Sequence, residues 1–288
     1  MKLASFAGTV SRAFAQIPGG FYVAKLLKNL FHSGLKHQAG FTTYRSAGMT
    51  FRVELSTNLG AKMFWRGAHS WPPIFVLQHY VNPGFTCVDL GANQGEYTLW
   101  MSKLAGPAGE VHSFEPSSKM LEQLRATLAL NSAQAQTVTV HPFGLSDANA
   151  TVELFLPQAG SAAHNEGAAT VFRTSSADES LGSIELRNAG EALQSATARK
   201  LDFIKIDIEG SELRALRGMR ERLERDRPLI LIEINRTALE LAETSPRELA
   251  TFLTDLGYRL NLIGTRGRLM PYSAERANEF DDVNVLAI

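Results

Sequence analysis

The chain holds 288 residues, 44% hydrophobic and 20% charged, a balance that excludes a largely disordered protein. Its 29 basic and 29 acidic side chains cancel, which argues against a nucleic-acid binder working by bulk positive charge. The cancellation hides a segregation: no acid precedes Glu54, so the first 53 residues carry +7 and the remainder −7.

A single cysteine, Cys87, excludes an internal disulfide and a cysteine-based zinc cluster, and its apolar surroundings Phe85, Thr86 and Val88 read as core. No stretch reaches the roughly 18 apolar residues of a membrane span. The opening segment has a weak signal-peptide look, but Arg12 interrupts its apolar run too early, so the expected location is cytoplasmic.

Residues 1–40 read as a basic amphipathic helical arm. Phe6, Val10, Phe14 and Ile17 fall on one helical face before the Pro18-Gly19-Gly20 break, and Leu26, Leu27, Leu30 and Phe31 follow beside Lys25 and Lys28. Packing on the main domain or on another subunit is the favoured role, since the charges are too spread for a polybasic cluster; a peripheral membrane contact is the alternative. Residues 41–82 read as a small β/α lead-in: alternation through Phe41, Thr43, Met49, Phe51, Val53 and Leu55, turns at Gly48 and Asn58-Leu59-Gly60, then a helix over 74–80.

From residue 83 to 288 short apolar runs alternate with helical stripes. The runs at 86–90, 110–114, 138–142, 201–208 and 229–234 are strand-like and apolar on both faces, which predicts an α/β doubly wound, mostly parallel sheet. One helix carries Met120, Leu121, Leu124 and Leu128, and another Leu213, Leu216, Met219 and Leu223. A third opens at Ser245-Pro246-Arg247-Glu248 as a capping box. Residues 258–263 and 283–288 predict an antiparallel pair at the sheet edge. Residues 150–200 interrupt the alternation with an Ala/Ser/Gly-rich stretch and a polar run at 184–195, and read as a substrate-side insertion.

The strongest local signal is Val88-Asp89-Leu90-Gly91-Ala92-Asn93-Gln94-Gly95-Glu96-Tyr97: a strand ending in an acid, a glycine turn, then a helix. A dinucleotide site wants glycine where Asn93 stands, to leave room for pyrophosphate. Asp89 would repel phosphate but suits a ligand with an ammonium group, as in S-adenosylmethionine. Glu115, in Val111-His112-Ser113-Phe114-Glu115-Pro116, ends the second strand 24 residues after Gly91, where an acid can accept hydrogen bonds from both ribose hydroxyls. Phe143-Gly144-Leu145-Ser146-Asp147 follows the third strand and is placed to face adenine.

The second signal is Lys205-Ile206-Asp207-Ile208-Glu209-Gly210-Ser211. Asp207 and Glu209 share one side of a strand tip, and burying two carboxylates demands a cation, a proton or hydrogen bonds. Glu209 reads as readily as a helix cap, and Glu233 at the end of the next strand completes a three-carboxylate cluster. The candidate catalytic set is therefore Asp207, Glu209 and Glu233. His141 and His164 are weaker candidates for the base, His141 reading as core.

These motifs, with Gly144-Leu145-Ser146-Asp147, the run 201–219 and Ile230–Ile234, resemble the FkbM-type S-adenosylmethionine-dependent methyltransferases over roughly residues 50–288. The resemblance implies a class I methyltransferase (Rossmann-like) fold and methylation of hydroxyl oxygens on sugars, polyketides, lipid-linked glycans or similar metabolites. By position it implies that Asp89, Gly91, Asn93 and Gly95 hold the methionine end, Glu115 the ribose and Ser146 the adenine, with Tyr97 and Pro116 also among the cofactor-binding residues. For the chemistry two routes are open, a general base at Asp207 or a Mg2+ ion on the three carboxylates. The competing functions are a nicotinamide-dependent oxidoreductase, disfavoured by Asn93, and a non-catalytic scaffold, disfavoured by the intact loop and Glu115. The polar run at 184–195 and the basic arm fall outside the family pattern.

Overall fold

In the computed structural model, which describes residues 2–15, 17, 20–36, 40–157 and 169–288, the basic arm is a helical hairpin seated on the domain. Helices α1 (Lys2–Ala15) and α2 (Gly20–Lys36) pack on α3 (Asn58–Arg66). Small residues permit the approach: a Cβ on Gly8 would lie 2.7 Å from the Phe64 ring. Ser11 Oγ donates to the Trp65 carbonyl at 2.5 Å, and Arg12 donates to the Phe64 carbonyl at 2.8 Å with its guanidinium over the Tyr44 ring.

Strands β1 (Phe41–Ser46) and β2 (Met49–Glu54) pair antiparallel through Ala47 and Gly48, both at positive φ. Asn58-Leu59-Gly60, expected as a turn, instead opens α3. Thr57 caps it by accepting from the Gly60 N–H at 3.0 Å, so the polar residues there are a helix start rather than a reversal. The expected helix over 74–80 is α4 (Trp71–Tyr80), which begins earlier because Pro72 and Pro73 fit a first helical turn.

The central sheet has eight strands. From the middle outward run β3 (Thr86–Leu90), β4 (Glu110–Phe114) and β5 (Val138–His141), all parallel. The chain then returns to the other side of β3 with β9 (Phe203–Ile206) and β10 (Leu229–Asn235), also parallel. Helices α5 (Glu96–Ala105) and α6 (Ser118–Ala129) link the first half; α8 (Glu212–Gly218) and α9 (Arg220–Asp226) link β9 to β10. This reversal between β3 and β9 opens a crevice at the strand tips, where ligands of such sheets bind. Beyond β10 the sheet turns antiparallel: β13 (Asp282–Ala287) inserts between β10 and β11 (Leu260–Ile263), and β12 (Leu269–Pro271) forms the edge. The expected antiparallel pair is thus present, with one further strand outside it. Helices α10 (Arg236–Leu241) and α11 (Pro246–Asp255) lead into this edge, and Ser245 caps α11 at the Glu248 N–H.

The described parts of residues 150–200 hold regular structure that the composition does not suggest. β6 (Gly144–Ser146), β7 (Ala150–Leu156) and β8 (Glu179–Asn188) form a three-stranded sheet, followed by α7 (Ala189–Ala196). The polar run at 184–195 is therefore a strand end and a helix whose polar residues face outward while Ile184 and Leu193 are buried. Residue 164, a weaker base candidate, lies outside the described residues. Among the described residues no helix is long and apolar enough to cross a membrane.

Candidate active site

Two clefts meet at the tip of β3. The first encloses about 760 Å³, open solvent included, and is mainly apolar: Leu90, Phe114, Pro116, Leu145, Leu154 and Ile184 surround Glu115. The inner face of the three-stranded sheet therefore walls this cleft. The stretch expected on the substrate side contributes to the side that holds Glu115.

Glu115 ends β4 facing the β3–α5 loop. One oxygen accepts the Asn93 N–H at 2.8 Å and the other the Ser117 N–H at 2.9 Å. Burial pushes its carboxyl up to about 7, against the pull of those two amides. Each oxygen keeps a lone pair for a further donor. The loop depends on unusual backbone: Gly91 has φ 76°, Asn93 φ 49° and Gly95 φ 90°. A Cβ on Gly91 would stand 1.9 Å from the Asp207 carbonyl oxygen, so β3 and β9 close together there only over a glycine. Asn93 stabilises its own left-handed turn by accepting the Gln94 N–H at 2.8 Å.

The second cleft, about 890 Å³ with open solvent included, lies on the other side of the loop and is polar. Lys62, His69, Glu96, Tyr97, Lys205, Glu233 and Asp282 line it. Gly91, Asn93, Asp207 and Glu209 line both clefts, so these four form the passage between them.

The three predicted catalytic acids do come together. Oxygens of Asp207, Glu209 and Glu233 lie within 4.8 Å of one another, all three side chains half-buried. Repulsion from Asp207 first, and burial second, push Glu233 up to about 10, and Asp207 shares a hydrogen bond with it. Burial, then the charges of Asp207 and Glu212, hold Glu209 well above the carboxylate range. The cluster thus keeps a proton on Glu233 at neutral pH, and the same crowding raises Glu209. Glu209 is not the helix cap. Its neighbour Glu212 takes that role, accepting the Ile208 and Gly210 amides at 3.0 Å each, while Glu209 sits at φ 50°.

The residue that organises the site is Lys205, which sequence reasoning passed over. It is buried in β9, with Nζ 3.5 Å from Asp89 and 3.6 Å from Asp207, and it donates to the Gly91 carbonyl at 2.8 Å. Burial opposes its charge, but Asp207 and Asp89 outweigh it and raise its pKa. The available signal was a lysine inside an otherwise apolar buried strand. Glu96 and His69 were missed too. The His69 N–H reaches both Glu96 oxygens, at 3.0 and 3.2 Å, and burial pushes Glu96 up to about 8. Burial and Lys62 lower the His69 imidazole to about 4, so it is neutral.

Three of the residues expected at the cofactor line neither cleft, and a fourth faces the polar one. Asp89, expected to hold the methionine end, is fully buried and lines neither cleft; Thr98 donates to it at 2.6 Å and Lys205 covers it, so it anchors the lysine. Gly95, expected beside it, also lines neither cleft: it starts α5 against Leu124. Tyr97 faces the polar cleft, its ring 5.1 Å from Lys205 Nζ. Ser146 is buried in β6 with its hydroxyl on Asp147 at 3.1 Å; Gly144 and Leu145 line the cleft instead. His141 is half-buried, stacks on Phe114 at 4.4 Å and lines neither of these clefts.

A family profile described as the methyltransferase FkbM domain matches residues 89–260, more than half of the chain. Methyltransferase sdnD of Sordaria araneosa is 28% identical over 158 residues, which covers 46% of this chain and 60% of that protein. The chain thus spans less than two thirds of the curated relative it matches. Methyltransferase FkbM from Methylobacillus flagellatus KT aligns over 92% of this chain and 60% of its own, at 17% identity and TM-score 0.46. Aeropyrum pernix fibrillarin, solved with natively bound S-adenosyl-L-methionine, aligns over 87% and 83% at 14% identity and TM-score 0.44. The strand order of the sheet, its antiparallel edge and the matched domain agree on a class I methyltransferase fold, and the chain belongs to the FkbM family of S-adenosylmethionine-dependent methyltransferases.

Proposed function

We propose that the protein is a cytoplasmic O-methyltransferase that moves a methyl group from S-adenosylmethionine to a hydroxyl of a sugar, polyketide, lipid-linked glycan or similar metabolite. The observation that carries this reading is the position of Asp207, which lines both the apolar cleft of Glu115 and the polar cleft beyond it. The apolar walls suit an adenine, and Glu115 keeps free lone pairs for ribose hydroxyls. The backbone turn at Gly91–Asn93 leaves the passage open for the methionine end.

S-adenosylmethionine, when bound, supplies a methyl group already activated on a cationic sulfur. The chain's contribution is then to hold an acceptor oxygen in line with that carbon and to exclude water, which is worth about 7–11 kcal/mol in well-oriented systems. An alcohol is a weak nucleophile, so Asp207 takes its proton as the oxygen attacks. Lys205 sets its ammonium 3.6 Å from Asp207, and the protonated Glu233 shares a hydrogen bond with Asp207 and fixes its orientation. The polar cleft offers Tyr97, Asn235 and His69 to a hydroxyl-rich acceptor.

A second reading rests on the same acids. Three carboxylates within 4.8 Å fit a hard divalent ion, and Mg2+ held by Asp207, Glu209 and Glu233 would polarise the acceptor hydroxyl. Methyl transfer from labelled S-adenosylmethionine, run with and without EDTA, separates the two: activity unchanged by chelation supports the base. Tight binding of NAD(H) with none of S-adenosylmethionine would sink both readings in favour of an oxidoreductase.

A further inference from the structure

Apolar exposure is unevenly distributed over the molecule. Of the ten exposed large hydrophobic side chains among the described residues, six lie on α1, α2 and the turn between them: Phe6, Phe14, Ile17, Tyr22, Leu26 and Leu30, from 40% to 75% exposed. Tyr22, Leu26 and Leu30 recur every fourth residue and form one stripe along α2, with Lys25 exposed beside it. The hairpin's other face is already used, through Ala7, Ser11, Arg12 and Ala24, all buried. The hairpin is therefore held from inside by packing and presents an apolar outer face, the mark of an interaction surface.

Charge identifies the occupant. No acid precedes Glu54, and on the hairpin Lys25 is exposed and Lys28 half-exposed, while Arg12 is turned inward. A second copy meeting this face about a twofold axis would set basic residues against basic residues with no acid from either arm between them. An anionic lipid surface supplies the opposite charge together with an apolar layer for Phe, Tyr and Leu. No described helix is long and apolar enough to cross a bilayer. We propose that the α1–α2 hairpin lies on an anionic membrane surface, inserting Tyr22, Leu26 and Leu30 at the headgroup boundary with Lys25 among the headgroups. α3, on which the hairpin packs, carries Lys62 at the polar cleft, so the membrane face and that cleft share one supporting helix.

The test is co-sedimentation of the full chain with vesicles of phosphatidylcholine alone and with about one third phosphatidylglycerol, at low and high salt. The expected result is binding to the anionic vesicles about tenfold tighter than to the neutral ones, weakening as salt rises. Leu26→Ser with Leu30→Ser should lower that binding by about tenfold or more, with circular dichroism and S-adenosylmethionine affinity unchanged. Tyr22→Ser, at the most exposed position, gives the same direction should the double variant fold poorly. No vesicle binding, equal binding to neutral vesicles, or variants that bind like the parent would overturn the proposal. So would a dimer of the parent chain that the variants convert to monomer without any vesicle binding, which would assign the face to a second copy.

Discussion

The two clefts that meet at β3 are built on opposite principles. In the apolar cleft the central polar group, Glu115, is tied by two backbone amides, and its walls are hydrocarbon. In the polar cleft the acids outnumber the buried cation: Asp207, Glu209, Glu233, Glu96 and Asp282 line it with Lys205, three of the five are held above the carboxylate range and Asp282 is raised from its ordinary value. The first arrangement suits a fixed ligand that must be held the same way every time. The second gathers groups of shifted acidity, as sites of proton transfer do, and the proposed function puts the reaction there. The passage residues Gly91, Asn93, Asp207 and Glu209 let one half position what the other half transforms.

That division can be broken at the passage or sharpened on either side. The largest effect is expected at Gly91→Ala, where the added methyl would fall 1.9 Å from the Asp207 carbonyl at φ 76°. Calorimetry should find no S-adenosylmethionine binding, and denaturation should show a loss of at least about 3 kcal/mol, since both the sheet contact and the backbone are strained. Next comes Glu115→Gln, which turns an amide donor toward the Asn93 or Ser117 N–H. Cofactor affinity should fall by about 10- to 100-fold, while a chain already saturated with cofactor keeps its turnover. An unchanged Kd would remove Glu115 from the binding half.

The polar half should respond to pH. Glu233 titrates at 4.5 when unperturbed and at about 10 in the fold, so the folded chain holds an extra proton between those values. The stability it contributes is full below about pH 4.5 and is lost as pH rises through about 10. Glu233→Gln keeps a donor for Asp207 and removes the titration, so its unfolding free energy should fall less steeply between about pH 7 and pH 10. Parallel profiles for parent and variant would contradict the shared proton. The smallest effect is expected at Ser146→Ala: its hydroxyl meets Asp147 and not the cleft, so cofactor affinity should stay within about twofold.

Much of the fold and the cofactor half was legible in the sequence, because both depend on local signals. Strand runs, the Gly91-to-Gly95 turn and the register of Glu115 follow from short stretches, and the acids of 207, 209 and 233 follow from strand tips known to share an edge. What was not legible depends on which strands adjoin. Lys205 reaches Asp89 and Gly91 only because β9 pairs with β3, and His69 meets Glu96 only because α4 packs on α5. The partners of Asp89 and Ser146 were hidden for the same reason: their side chains meet Lys205, Thr98 and Asp147, which a strand read alone does not reveal. The stretch 150–200 hid its order because its strands have one wet face and alternate weakly, with only Ile184 buried along the whole of β8.

The central claim is that Asp207 serves the reaction rather than cofactor binding, and one paired measurement tests it directly. The parent chain and Asp207→Asn are each given labelled S-adenosylmethionine and cell extract separated into lipid, glycan, small-molecule and protein fractions, with cofactor affinity measured in parallel by calorimetry. The account predicts label in a lipid, glycan or small-molecule fraction for the parent, and transfer slower by about 10²- to 10⁴-fold for the variant at nearly unchanged affinity. Equal labelling by the variant, or label confined to protein, would contradict it.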